Sequence, residues 1–390
     1  MLKLAIILFT ITVIIPVLLY AIIRLFELYQ DKHPPSYLAP RPPRESYQFL
    51  KLRKGPKIGS KKWFKKMGTI GVSLKSVKVK QILFVHGSFV GNDPYDIIRL
   101  LEELIPFIPS SVKKDIGDWF RNKIRNLTSL IMGDMGHFSE DYVKTIKSVF
   151  PKDLGINNFI WSSGNHHMAR VRGTLKLINT FMNLNIKNED KVLLIGHSHG
   201  GQLLSLLTLM LGDAKLRASI LSLLPDPEDA FSYEQKFKQL EKVNFDFVTM
   251  GTPPRYAWDL NSSRRLLNFI NHRGNTPMGG RMSGFLFTRD GDYVQQYGVD
   301  GSDTFSAMGP DRKKNKDLET ILGTGASISR WLSEIRKRKR VPDFGFTLLV
   351  NYKDQNIFPN FIRTLQGHGV YTRKRMMVFT FLQIKKNLYS

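Results

Sequence analysis

The sequence predicts an α/β protein, a mainly parallel sheet with helices on both faces. Three observations carry that reading. From about residue 80, short apolar runs bounded by turn residues alternate with helix-length segments. The chain has 390 residues, 42% of them hydrophobic, enough to bury a sizeable core. One apolar run, Lys191–Gly196, passes through a glycine-rich turn straight into an apolar helix-length segment, "GGQLLSLLTLML".

Ahead of the domain, Leu4 to Ile23 is 20 residues without a charge, the length of a bilayer span. It continues into "RLFELY" with no small-x-small cleavage site, so residues 1–28 are expected to be an uncleaved anchor. Pro16 is tolerable in a membrane helix. Only Lys3 precedes the run, whereas Arg24, Lys32, Arg41 and Arg44 follow it, and Lys51 to Lys80 holds eleven Lys/Arg and no acid. The positive-inside rule then places the following domain on the cytoplasmic side. Each basic residue near anionic headgroups would add roughly 1 kcal/mol of attraction. Asp31 to Ser46 is Pro-rich and reads as a stiff spacer, within a linker over 29–79.

The strand candidates over 80–390 are Gln81–Gly87, Asn157–Ser163, Lys191–Gly196, Asn244–Gly251, Leu266–His272 and Phe344–Tyr352. Helix candidates begin at His166, at Gly200, at Asp317 and at Arg373. An insertion over 92–155 is longer than an ordinary crossover. Within it Ile116, Trp119, Phe120, Leu127, Leu130 and Ile131 recur at helical spacing between basic residues, which suits a lid-like amphipathic helix.

Charge and composition limit the function. The excess of 58 Lys+Arg over 33 Asp+Glu leaves +25, which suits anionic partners. Cysteine is absent, which excludes disulfides, thiolate nucleophiles and Cys-based metal sites. No nucleic-acid-binding motif accompanies the charge, and Arg336–Arg340 reads as a helix end where cations are favoured.

Gly196-His197-Ser198-His199-Gly200 fits G-x-S-x-G. About 0.1 chance matches are expected in a chain of this composition, so context decides. Here the motif follows an apolar strand and opens an apolar helix, the setting of a nucleophile elbow. The flanking glycines let strand and helix approach around a strained serine. Ser198 also sits at a helix N-terminus, which favours developing negative charge.

A serine hydroxyl needs a base. His197 and His199 are too close in sequence to reach Ser198 from the far side and are expected to line the pocket. His166 and His167 open a helix and suit capping or a pocket wall. His368, between two glycines beyond the last strand, is the candidate base, on a turn expected to be exposed. Backbone amides of Ser88, after the first strand, and His199, after the nucleophile, are the candidate oxyanion donors.

The pieces "FVHGSF", "LLIGHSHGG", "VTMGTP" and "GHGVYT", in that order, resemble the α/β-hydrolase superfamily, and its lipases and esterases in particular. The resemblance covers roughly residues 80 to 390. It implies the α/β-hydrolase fold, a Ser-Asp/Glu-His triad in that chain order, an acyl-enzyme mechanism, and no cofactor or metal. For the acid, "RDGDYVQQYG" stands in the family's place and Asp292 is preferred, with Asp290 beside it. Asp354 ends the last strand, and Asp259 would be a placement one strand earlier. The expected activity is a serine hydrolase cleaving acyl esters, lipid-derived because the anchor and basic linker would hold the site at a bilayer. An inert scaffold, an acyltransferase and a thioesterase share the same expected fold. Oligomeric state is not encoded legibly.

Overall fold

The computed structural model describes residues 41–52, 55–87, 138–184, 186–224, 227–280, 291–298, 311–324, 337–353 and 367–390, with isolated positions between 13 and 28. Seven parallel strands form one sheet: β1 (Tyr47–Lys51), β2 (Val79–Val85), β3 (Gly155–Phe159), β4 (Lys191–His197), β5 (Asn244–Met250), β6 (Arg264–Asn271) and β7 (Phe346–Asn351). Their order is β1-β7-β6-β5-β4-β2-β3.

Two helical layers cover the sheet because its central strands are apolar on both faces, as buried parallel strands are. In β4, Leu193 and Ile195 pack with α1 (Lys61–Ser76), α2 (Glu140–Lys147) and α9 (Met377–Leu388). Val192 and Leu194, one residue out of phase, pack on the other face. That face is covered by α3 (His167–Met182), α4 (His199–Gly212), α5 (Ala214–Leu221), α6 (Pro227–Leu240) and α8 (Asp311–Leu322). Strand side chains alternate between faces with period two, so one strand feeds both cores. α4 is buried nearly all round, and its Ser205 and Thr208 hydroxyls bond back to helix carbonyls, which satisfies them inside the core.

The topology locates the site. From β2 the chain moves outward to β3, then returns to the other side of β2 as β4 and proceeds through β5, β6 and β7. The crossover direction therefore reverses between β2 and β4. In open α/β sheets ligands bind beyond the carboxyl ends of strands at such a switch point.

Three expectations are corrected. Among the described residues no helix is long and apolar enough to cross a membrane. The expected single-pass anchor over 1–28, and the membrane localisation drawn from it, are overturned by that finding. Hydropathy carried the anchor, and hydropathy together with the basic flank carried the localisation; neither is evidence of a helix. Apart from isolated positions, Leu4–Ile23 lies outside the described residues, as does the amphipathic stretch 116–131.

The linker is not only a linker. Tyr47–Lys51 adds an edge strand parallel to β7, and Lys61–Ser76 forms α1, with its N-cap Ser60 accepting from the Trp63 amide. Trp63, Met67, Ile70 and Leu74 give α1 a buried stripe at helical spacing. The density of lysines on its solvent side had hidden that stripe. The turn carrying His368 is also buried rather than exposed, with His368 at 9% exposure.

Candidate active site

Ser198 stands where β4 ends and α4 begins, with φ 53° and ψ −129°. A non-glycine residue held at positive φ stores about 1–3 kcal/mol of strain and persists only where surrounding structure over-determines it. Here the Ser198 amide donates to the Met250 carbonyl at 3.0 Å, and Gly201 N donates back to the Ser198 carbonyl at 3.0 Å. A Cβ on Gly196 would lie 2.8 Å from Gly201 N, and one on Gly200 would lie 2.5 Å from the Val85 carbonyl oxygen. Both glycines of the motif are thus required by close approach.

Serine at an N-cap usually caps its helix through its side chain. Ser198 makes no such bond, so its Oγ is not consumed by the turn that positions it.

Across the switch point, β2 delivers Gly87 against the serine. A Cβ there would fall 2.6 Å from Ser198 Cβ and 3.3 Å from its Oγ. The end of β2 is anchored from β3: the Trp161 indole donates to the His86 carbonyl at 3.0 Å, and the Ser163 hydroxyl to the Gly87 carbonyl at 2.8 Å. The next residue, Ser88, lies outside the described residues. His199 is the first residue of α4, where amides have no intrahelical acceptor.

The structure brings Asp292 and His368 together. His368 Nδ1 lies 2.9 Å from Asp292 Oδ2, with the carboxylate fully buried. Donation to that carboxylate assigns the proton to Nδ1 and makes Nε2 an acceptor. His368 Nε2 is buried with no hydrogen-bond partner among the described residues. Asp292 Oδ2 also accepts from the Tyr371 hydroxyl at 2.7 Å, and Oδ1 from the amide of Gln295 in α7 (Tyr293–Tyr297) at 3.0 Å. Burial acts to raise the acid's pKa, but the charge of His368 and these three hydrogen bonds prevail and hold it below 3.8. The Tyr371 phenol moves well above its ordinary 10 through burial and the Asp292 charge, so it remains a donor.

His197 reaches His368 from the elbow side. Its Nε2 donates to the His368 carbonyl at 2.9 Å, and the two rings lie 4.8 Å apart. His368 is thereby held within one residue of Ser198 on the chain that carries the elbow.

Sequence reasoning missed the residues that join these parts. Asn271, the last residue of β6, donates its backbone amide to Tyr371 and its side-chain amide to the Gly367 carbonyl at 3.0 Å, and its own carbonyl accepts from Asp292 N at 2.8 Å. One asparagine so holds both the acid and the histidine turn. Its only sequence signal is a polar residue closing an apolar strand. Arg340, fully buried, donates Nη1 to the Asp292 carbonyl and to Gln295 Oε1.

The other expected residues lie elsewhere. Asp259 pairs with Arg264 at 2.9 Å, beside Gly212 at the far end of α4. Asp354 and Asp290 lie outside the described residues. His166 caps α3 by accepting from the Ala169 amide, and His167 Nδ1 meets the Tyr256 hydroxyl at 2.7 Å. Among the described residues no group of His, Asp or Glu could hold a metal ion. No protein-family model matches the chain, and neither a curated protein nor a solved structure is significantly similar to it.

Proposed function

We propose that the protein is a serine hydrolase of the α/β-hydrolase type that cleaves acyl esters through an acyl-enzyme on Ser198. The single observation that carries this reading is the buried Asp292–His368 pair at 2.9 Å, with His368 Nε2 an unmatched acceptor held beside the elbow by His197. In this reading Nε2 takes the Ser198 proton as Oγ attacks the acyl carbonyl. Asp292 keeps the imidazole in the Nδ1–H tautomer and stabilises its charged form. The His199 amide, with Ser88 expected as the second donor, holds the oxyanion. His368 then returns the proton to the leaving alcohol, and water, activated by the same base, releases the acid. The reacting carbonyl would lie at the switch point between β2 and β4. Lipid-derived esters were expected from the anchor and the basic linker, and that expectation falls with the anchor.

The test is fluorophosphonate labelling of the purified protein beside Ser198→Ala at equal concentration. Labelling of the wild type that vanishes in the variant is expected, followed by hydrolysis of p-nitrophenyl acyl esters. A folded wild type that takes no label would overturn the reading.

A further inference from the structure

We propose that a groove at the β1 edge of the sheet, remote from Ser198, binds a monomeric single-chain anionic amphiphile, an alkyl carboxylate in the simplest case. The groove holds about 420 Å³ between the end of β1, α1 and the outer flank of α9. That lies within the about 300–1,000 Å³ typical of small-molecule sites. Neither Ser198, His368 nor Asp292 lines it. β1 stands four strand spacings from β4, roughly 19 Å across the sheet. Its occupancy is therefore independent of the chemistry proposed at Ser198.

The walls set the apolar part of the ligand. Leu50, Val378, Phe379 and Leu382 line the groove, and its surface is predominantly apolar. Val378, Leu382 and Lys386 recur at intervals of four along α9 and form one row on that helix. The row runs outside the stripe of Met377, Phe381, Ile384 and Leu388 that packs into the core. Leu382 is 39% exposed, so the groove leaves large apolar surface in water. An alkyl chain laid along the row removes that surface from water.

Charge sets the head group. Lys66 of α1 and Lys386 of α9 line the groove from helices packed against each other, and both are exposed. Lysine stems extend an apolar wall while their ammonium groups stay in water, here at the mouth of the groove. Lys51 also borders the groove, but it follows Leu50 in β1 and its side chain leaves on the opposite face of the sheet. Among the described residues neither Lys66 nor Lys386 has an ion-pair partner, whereas Lys75 in α1 and Lys374 ahead of α9 pair with Asp153 and Asp141. Lys51 to Lys80 and Met377 to Leu388 contain no acidic residue. No carboxylate of the groove's own elements competes for the two cations, so a negative head group complements them.

The site is tested by saturation-transfer NMR titration of the purified full chain at neutral pH with octanoate, 1-octanol and hexanoate. Octanoate and 1-octanol share a chain length and differ in charge, whereas hexanoate is shorter by two methylenes. The wild type should bind octanoate roughly fivefold more tightly than 1-octanol at low salt, a difference that shrinks at about 1 M salt. It should bind octanoate roughly tenfold more tightly than hexanoate. The double variant Lys66→Gln/Lys386→Gln should bring octanoate down to 1-octanol, and Leu382→Gln should weaken both. All three positions are exposed, so the fold tolerates these changes. No saturable octanoate binding, equal affinity for octanoate and 1-octanol in the wild type, or a preference that survives the double variant would overturn the proposal. Octanoate held at the Ser198 site would ignore all three substitutions, and that outcome would overturn it too. Sedimentation with phosphatidylglycerol vesicles in the absence of octanoate binding would assign the groove to a bilayer surface and refute a monomeric ligand.

Discussion

The Tyr371 hydroxyl donates to Asp292 Oδ2 at 2.7 Å while accepting from the Asn271 backbone amide at 2.8 Å. One phenol thus ties a buried carboxylate to the end of β6. Tyr371→Phe removes both bonds and leaves a buried amide unmatched. A loss of about 1–3 kcal/mol in unfolding free energy by urea denaturation is expected. Because Asp292 lies below its unfolded value, its stabilising contribution is complete above pH 3.8 and fades as pH falls below that. The variant, with a less depressed acid, should lose less stability than the wild type on that acid side.

Asp292→Asn keeps the shape of the pair but puts a carboxamide opposite His368 Nδ1. In triads of this kind such a change stabilises the wrong tautomer and lowers turnover by about 10⁴. Fluorophosphonate labelling slowed by several orders of magnitude is expected, with the circular dichroism spectrum unchanged. Asp259→Asn, at the far end of α4, should label at the wild-type rate. Equal effects of the two substitutions would remove Asp292 from its proposed role.

His272 carries a separate pH signature. Burial first, and then the Arg340 charge, lower its pKa from 6.5 to about 3. The folded protein keeps it neutral while the unfolded chain protonates it, so its contribution is whole above pH 6.5 and drains away as pH falls toward 3. The slope per group reaches about 1.4 kcal/mol per pH unit. His272→Gln should flatten the stability profile between pH 6 and 4 when wild type and variant are compared by chemical denaturation. Parallel profiles would show that His272 titrates normally.

Gly87→Ala tests the contact across the switch point. The new methyl would lie 2.6 Å from Ser198 Cβ and 2.9 Å from the His197 carbonyl oxygen, both short of van der Waals contact. Overpacking of this kind costs about 1–3 kcal/mol. A lowered melting temperature together with slower labelling is the expected result, since the strain falls on the elbow itself.

By itself the sequence determined the α/β class, six of the seven strands and the helix that follows Ser198. Six strands of the sheet were legible from short runs bounded by turn residues; in the interior strands, burial on both faces leaves no polar alternation to blur the run, whereas the edge strand β3 is only partly buried. The elbow was legible as a motif after an apolar strand: Gly196 answers a steric demand from Gly201 nearby, whereas the demand on Gly200 comes from the end of β2. β1 and α1 were missed because they lie in a stretch read as a basic linker: β1 is a five-residue edge strand with little burial, and the lysines on the solvent side of α1 masked its apolar stripe.

Tertiary structure alone decided the rest. Asp292 and His368 are 76 positions apart, and nothing local distinguishes Asp292 from other turn aspartates. Asn271, Tyr371 and His197 acquire their roles only when the ends of β4 and β6 and the turn after β7 converge. The donors around a buried carboxylate come from wherever the chain returns, and spacing along the sequence does not record that geometry.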